Sequence, residues 1–280
     1  MSEVENGTAS AVAGLPTSTT PVKPEGGHPN ELPQKSSGLS HLRSYFSNEV
    51  TTNHADLLLL LCCLTTGFVD STLYNAFSTF VSMQTGNTIF VALGASGQNT
   101  RPYGWARSLS SIGFFIIGSF FFSRFNRTFG ARRRGTIMSS FILQSICILI
   151  ASGLIEGGAI DGTVPSRFSV VHWNQLAPIA LLSFQSAGQI ISSRALDVGE
   201  IPTVVITSLL CDLFSDPLLF DSHVKNPKRN RRAAAFVLTL IGAIIGGWVS
   251  KATGGVQTML WVAGAVKFLL AMLWIFWASA

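Results

Sequence analysis

"GFVDSTLYNAFSTFVSMQTGN", residues 67–87, threads an aspartate, two asparagines, a glutamine and several hydroxyls through a stretch otherwise rich in Phe, Val and Leu. Its reading decides the fold. The apolar segment that enters it, Leu57 to Phe77, has roughly the 20 residues needed to cross hydrocarbon. The segment that leaves it, Thr79 to Gly97, is interrupted by Ser82, Gln84, Thr85 and Asn87. Six more apolar segments follow: Leu109 to Phe125, Thr136 to Ile155, Gln175 to Ser193, Ile201 to Phe220, Ala233 to Ser250 and Val256 to Ala278. Lipid cannot satisfy a bare backbone, so helices are the expected form. The expected fold class is all-α, a polytopic transmembrane bundle of six to eight hydrophobic segments. The second and sixth are expected to be broken, tilted or re-entrant, the sixth because it carries Pro202, Asp212, Asp216 and Pro217.

Composition agrees. Only 12% of the 280 residues are charged and 48% are hydrophobic, which takes the chain out of the ordinary soluble class. The net charge of +5 does not imply nucleic acid as a partner, because the basic residues sit in short clusters between apolar segments. Membrane lipid is the expected surround. Cys62, Cys63, Cys147 and Cys211 lie in apolar stretches without metal-ligand or CxxC spacing and read as buried packing residues. Residues 1–54 are rich in Ser, Thr, Pro, Gly and Asn and are expected to be a disordered polar tail. It shows no cleavable signal pattern, so the first apolar segment is expected to do the targeting.

Charge helps to place the weak segments. "RFNRTFGARRRG" (124–135) and "KNPKRNRR" (225–232) should both prefer the cytoplasm. Three segments separate them, and both loops face one side only if one of the three enters and returns. The sixth is the expected non-crossing segment, although Arg101, Arg107, Arg167 and Lys251 blur the bias. If the second is also non-crossing, the halves 55–155 and 174–280 are inverted with respect to the membrane, a plan common among secondary transporters. "GFFIIG" (113–118) and "GAIIGG" (242–247) support such a repeat, against the alternative of two Gly-rich helices matched by chance.

Thr66, Asp70 and Tyr74 fall at i, i+4 and i+8 and share one helix face. A carboxylate at membrane depth costs about 2.5–3.5 kcal/mol on insertion scales, so Asp70 should face a polar interior. Two readings stand: a proton or cation site, or a structural acceptor for backbone and hydroxyl groups. Thr85, Gly86 and Asn87 read either as an unwound point that exposes backbone to a ligand or as a helix-packing contact. Gln185, Gln189 and Ser193 repeat at a spacing of four, and Thr203 and Thr207 follow Pro202. Four polar stripes make a shared polar interior the better reading. Asp212 and Asp216 read as a solvated helix end. Lys267, inside the last segment, would snorkel to the interface or pair with a carboxylate such as Asp70. Catalytic motifs are lacking, His172 and His223 stand alone, and the sequons at Asn6 and Asn126 fall on the expected cytoplasmic side. No enzyme activity and no cofactor are expected.

"GFVDSTLYNAF", "FVSMQTGN" and "IPTVVITSLLCDLF" resemble the signature stretches of the YoaK-like family of multi-pass membrane proteins, a domain of unknown function. The likeness spans roughly Asp56 to Trp277. It marks Gly67, Asp70, Thr85, Gly86, Asn87, Pro202, Thr203 and Thr207, and implies a membrane fold with no assigned substrate. The functional expectation is therefore a small-molecule permease whose central site comprises Asp70, Tyr74, Thr85, Gly86, Asn87, Gln185, Gln189, Pro202, Thr203 and Thr207. The alternative is a non-transporting scaffold or accessory subunit. The expected location is a plasma membrane or endomembrane, with the N-terminal tail cytoplasmic; substrate and oligomeric state are not legible.

Overall fold

The structure is a computed structural model that describes residues 38–98, 102–164 and 173–280. Residues 1–37 with the Asn6 sequon, and Arg101, Arg167 and His172, lie outside the described residues. All eight apolar segments are helical. A short helix, α1 (Gly38–Ser47), precedes α2 (Ala55–Phe77), α3 (Gln84–Ala95), α4 (Gly104–Phe129) and α5 (Arg134–Glu156). The second half holds α6 (Leu176–Ala195), α7 (Ile206–Phe214), α8 (Pro227–Thr253) and α9 (Gln257–Leu273). Among the described residues, α2, α4, α5 and α8 are long and apolar enough to cross a membrane. The protein is a membrane protein built as an all-α bundle.

The two weak segments are short helices. α3 has 12 residues and α7 has 9, giving rises of about 18 and 14 Å against a hydrocarbon core of about 30 Å. Both begin inside the bundle after an extended link. α2 stops at Ser78, which takes a left-handed conformation (φ 54°), and the chain then folds back so that Val81 and Ser82 lie beside Asp70, two turns inside α2. α6 ends with Asp197, also left-handed (φ 56°), and Val204 then packs near Gly67 and Thr239 in mid-bundle.

The chain ends and loops gather at two ends of the bundle. At one, Val50 N donates to Arg132 O (3.0 Å) and Ala280 N to Glu49 O (2.9 Å). Arg231 there joins Asp56 and Glu200, both at 2.8 Å, and Arg132 pairs with Asp197. At the other, Arg107 donates to Phe77 O at the end of α2 (2.9 Å), and Val164 N donates to Gly254 O (3.0 Å). The long helices therefore alternate between these ends, α3 returns to the second end and α7 to the first. Both basic loops share the first end, as the charge pattern requires. The halves run in opposite senses, and their packing repeats: α2 lies on α8 as α6 lies on α4, α2 on α9 as α6 on α5, and α3 on α4 as α7 on α8.

Small residues set the crossings. A Cβ at Gly67 would lie 2.6 Å from Ala243 N, and one at Gly242 would meet Leu64 backbone. The matching crossing of α4 on α6 places Gly118 2.6 Å from Phe184 O on the same count. Gly118 thus corresponds to Gly242, and the register suggested by "GFFIIG" and "GAIIGG" is displaced: Gly113 and Gly247 face open space. Close backbone approach, not sequence likeness, identifies the equivalent glycines.

The expected tail ends earlier than residue 54. Residues 38–47 are helical, Tyr45 donates to Ile275 O, and Arg134 donates to Tyr45 O (3.1 Å) while lying over its ring. These contacts to distant residues order a segment whose own composition lacks a core. Cys211 is exposed, unlike the other three cysteines, because α7 offers too little neighbouring protein to cover it.

Gly67→Ala and Gly242→Ala should each destabilise the protein by about 1–3 kcal/mol through overpacking against backbone that cannot move aside. Gly113→Ala and Gly247→Ala should be neutral or slightly stabilising, since alanine favours helix. Thermal unfolding in detergent separates the pairs.

Candidate functional site

The bundle core is two apolar clusters with a polar layer between them. One cluster contains Leu58, Leu59, Phe141, Leu196 and Trp274, the other Val69, Leu73, Ile148, Leu182 and Leu260. Between them α2 contributes Thr66, α5 Gln144, α6 Gln185 and Gln189, and α9 Lys267, all buried. A polar group at this depth must find protein partners.

Lys267 is fully buried. Its Nζ donates to Gln189 Oε1 (2.5 Å), Gln144 Oε1 (2.8 Å) and Cys62 Sγ (3.8 Å), and it lies 5.3 Å from the centre of the Phe141 ring. The amino group meets three acceptors, none of them a carboxylate. It neither snorkels nor pairs with Asp70. The side chain points across the bundle because Gln144 and Gln189 lie on the facing sides of α5 and α6. The chain of contacts continues from Gln189 Nε2 to Thr66 Oγ1 (2.8 Å) and from Gln144 Nε2 to Ser140 Oγ (3.2 Å), which reaches Ser192 Oγ at 3.3 Å.

Asp70 lies one turn beyond Thr66. Its Oδ1 accepts from Val81 N (3.0 Å) and Ser82 N (3.1 Å), and Oδ2 accepts from the Ser82 hydroxyl. The carboxylate thus fastens the link that leads into α3. Asn87 fastens the same link from the other side: Oδ1 accepts from Phe80 N (3.2 Å), and Nδ2 donates to Phe80 O (2.7 Å) and to Ser111 Oγ (3.0 Å). Ser111 also contacts Ser183 (2.8 Å), so α4 and α6 share in holding it.

Two cavities adjoin Asp70. The smaller is lined by Thr65, Thr66, Val69, Asp70, Val81, Ser82, Gln185, Ser186 and Gln189, all buried. The larger, about 170 Å³, lies where the starts of α3 and α7 meet α2 and α8, with Met83, Val204 and Ile206 joining Gly67, Asp70, Phe80 and Ala243 in its wall.

Not every residue singled out from the sequence faces this centre. Asp70, Gln185 and Gln189 line the smaller cavity. Thr203 is buried with a positive φ of 55°, Oγ1 has no partner, and Pro202 precedes it half-buried. Tyr74 turns outward, 39% exposed, and stacks on Phe80 at 4.6 Å. Gly86 admits that Phe80 ring, 3.0 Å from where its Cβ would sit. Thr85 and Thr207 are exposed, since both lie in the first turn of a short helix on the side away from α2 and α6. Sequence reasoning missed Gln144, Thr65 and Ser82 as wall or network residues. The i, i+4 pair Ser140 and Gln144 was the available signal on α5. Asp212 is exposed near the end of α7, and Asp216 lies just past that end but is held by Arg232 (3.3 Å) and Asn226 (3.0 Å) rather than solvated.

A family model described as a protein of unknown function, DUF1275, matches residues 58–273. The chain belongs to that family, with which the YoaK-like resemblance is consistent. No curated protein and no solved structure matches it.

A double-mutant cycle of Lys267→Met with Gln189→Leu should give a coupling of about 1.5–3 kcal/mol in unfolding free energy, as expected for a hydrogen bond to a charged group. A lysine that reached the interface instead would give coupling near zero.

Proposed function

For this DUF1275 chain we propose a small-molecule permease whose substrate site is the cavity where the starts of α3 and α7 meet. The observation that carries the reading is the convergence of two half-helices, one from each inverted half, on one cavity beside a buried carboxylate. Non-helical backbone at membrane depth is tolerated where it is buried in protein or lines a cavity, and broken segments at a repeat interface are the usual place for a transported solute. Helix starts carry partial positive charge and unpaired N–H groups, while the cavity wall itself is almost wholly apolar, with Thr66, Asp70 and Ser71 among its lining residues. The volume suits a solute of a few heavy atoms.

In this reading Asp70, Asn87, Gln185, Gln189, Pro202 and Thr203 shape the centre. Tyr74 and Gly86 act from outside it through Phe80 in the link into α3, and the exposed Thr85 and Thr207 take no part in it. The end that holds Arg127, Arg132, Arg133, Lys225 and Lys228 faces the cytoplasm together with the N-terminal tail, following the positive-inside bias. Exchange of access between the two sides requires two packings of the halves within a few kcal/mol of one another.

Purified protein in liposomes should pass one or more members of a set of small labelled solutes, such as glycine, acetate, formate and urea, faster than empty liposomes. Ala243→Phe should fill the cavity and return that flux to the empty-liposome level while the protein remains monodisperse in detergent. A chain that passes no solute under any gradient and co-purifies with a stoichiometric partner would sink the permease reading in favour of a scaffold.

A further inference from the structure

The smaller cavity beside Asp70 differs from its neighbour in the kind of polar atoms it offers. Its hydroxyl protons are all directed elsewhere. Thr65 donates to Leu61 O (2.8 Å), Thr66 to Cys62 O (3.0 Å), Ser186 to Leu182 O (2.9 Å) and Ser82 to Asp70. Among the N–H groups, Val81 and Ser82 donate to Asp70, Gln189 Nε2 to Thr66 Oγ1, and one of the two Gln185 N–H groups to Ser186 Oγ (3.0 Å). Since the Ser186 proton goes to Leu182 O, the Gln185 amide must present nitrogen to Ser186, which leaves its oxygen turned the other way.

What remains is mainly acceptor capacity, with one Gln185 N–H beside it. Gln185 Oε1 is buried and has no partner. Asp70 uses three of roughly four lone-pair positions. Hydroxyl lone pairs of Thr65 and Ser186 add to these. None of the ion pairs among the described residues involves Asp70, so its carboxyl group has no cationic partner in the protein. Lys267 does not pair with it, its N–H groups being taken by Gln144, Gln189 and Cys62.

We propose that this cavity binds one small monovalent cation, Na+ or ammonium, between the Asp70 carboxylate, Gln185 Oε1 and the neighbouring hydroxyl oxygens. Its volume of about 10 Å³ leaves room for one such ion without its hydration shell. A single carboxylate with neutral oxygens suits a single charge; Mg2+ would keep waters for which there is no room. The ion ties α2 to α6 and so joins the two inverted halves. Its role as the coupling ion rests on the permease reading, whereas its binding does not.

The test is thermal unfolding of the full chain in detergent, titrated with NaCl, NH4Cl, KCl and choline chloride at constant ionic strength, with 22Na+ equilibrium binding alongside. In the wild type NaCl or NH4Cl should raise Tm along a saturating curve, by about 5 °C or more at a hundredfold excess over Kd, with choline chloride flat. Na+ binding should approach one per chain if Na+ is the stabilising ion. Gln185→Met, which keeps side-chain length and removes the carbonyl, should flatten the curve, as should Asp70→Asn. If Gln185→Met fails to fold, Thr65→Val and Ser186→Ala should each shift the midpoint to higher salt. Equal curves for all four salts, or a wild-type curve retained in Gln185→Met, would overturn the proposal. A response confined to lowered pH would do the same by assigning the cavity to a protonated Asp70. Ion binding without solute flux would remove only the permease reading, and flux indifferent to a bound ion would remove only the coupling role.

Discussion

A lysine amino group buried at the centre of the bundle constrains everything around it. Lys267 cannot be left without acceptors in a low-dielectric interior, where a polar group without partners is costly. Gln144 and Gln189 must therefore point inward with their carbonyl oxygens, which fixes their amide nitrogens towards Ser140 and Thr66. Thr66 then turns its hydroxyl proton to Cys62 O. One amino group thus sets the orientation of side chains on α2, α5, α6 and α9, and it lies between the two apolar clusters. Its partners are neutral groups spread over three other helices, so Asp70 is left for a separate task.

That task begins one turn along α2. The return of the chain at Ser78 brings unpaired backbone N–H groups to mid-depth, and Asp70 accepts two of them. A broken helix and a buried carboxylate, each expensive by itself, are complementary: the link satisfies the acid and the acid satisfies the link. The cavities on either side are consequences of that join, since an extended link packs less closely against α2 and α6 than a continuous helix would.

The segments and their lengths were legible because apolar runs, charge clusters and proline report directly on cost in lipid. Leu57 to Phe77 and Ala233 to Ser250 appear as α2 and α8, with polar extensions only at their ends. The weakness of Thr79 to Gly97 and Ile201 to Phe220 marked the two short helices for the same reason. Direction within a helix was harder. Thr85 and Asn87 are two residues apart, yet Thr85 is exposed and Asn87 fully buried, because the unwound link before α3 sets where the helical face begins. Lys267 misled through its default: snorkelling is favoured only when no acceptors lie nearby, and Gln144 and Gln189 are more than 75 positions away in the chain. The glycine motifs misled because "GFFIIG" and "GAIIGG" record composition, whereas Gly118 and Gly242 are matched by what a Cβ would strike.

The two halves share a plan but not a fastening. The link into α3 is bound by Asp70, by Asn87 and by Ser111, so releasing it means breaking several buried hydrogen bonds together. The link into α7 has far less. Thr203 sits in a left-handed conformation that β-branched residues rarely adopt, its buried Oγ1 is unpartnered, and the local backbone bond is Val204 N to Pro202 O at 2.6 Å. α7 itself is only 9 residues long, with few buried side chains. Movement between two packings draws on the elements that are cheapest to release. Any shift between two packings of this bundle is therefore least costly at the link into α7, where fewer buried hydrogen bonds would have to break than at the link into α3.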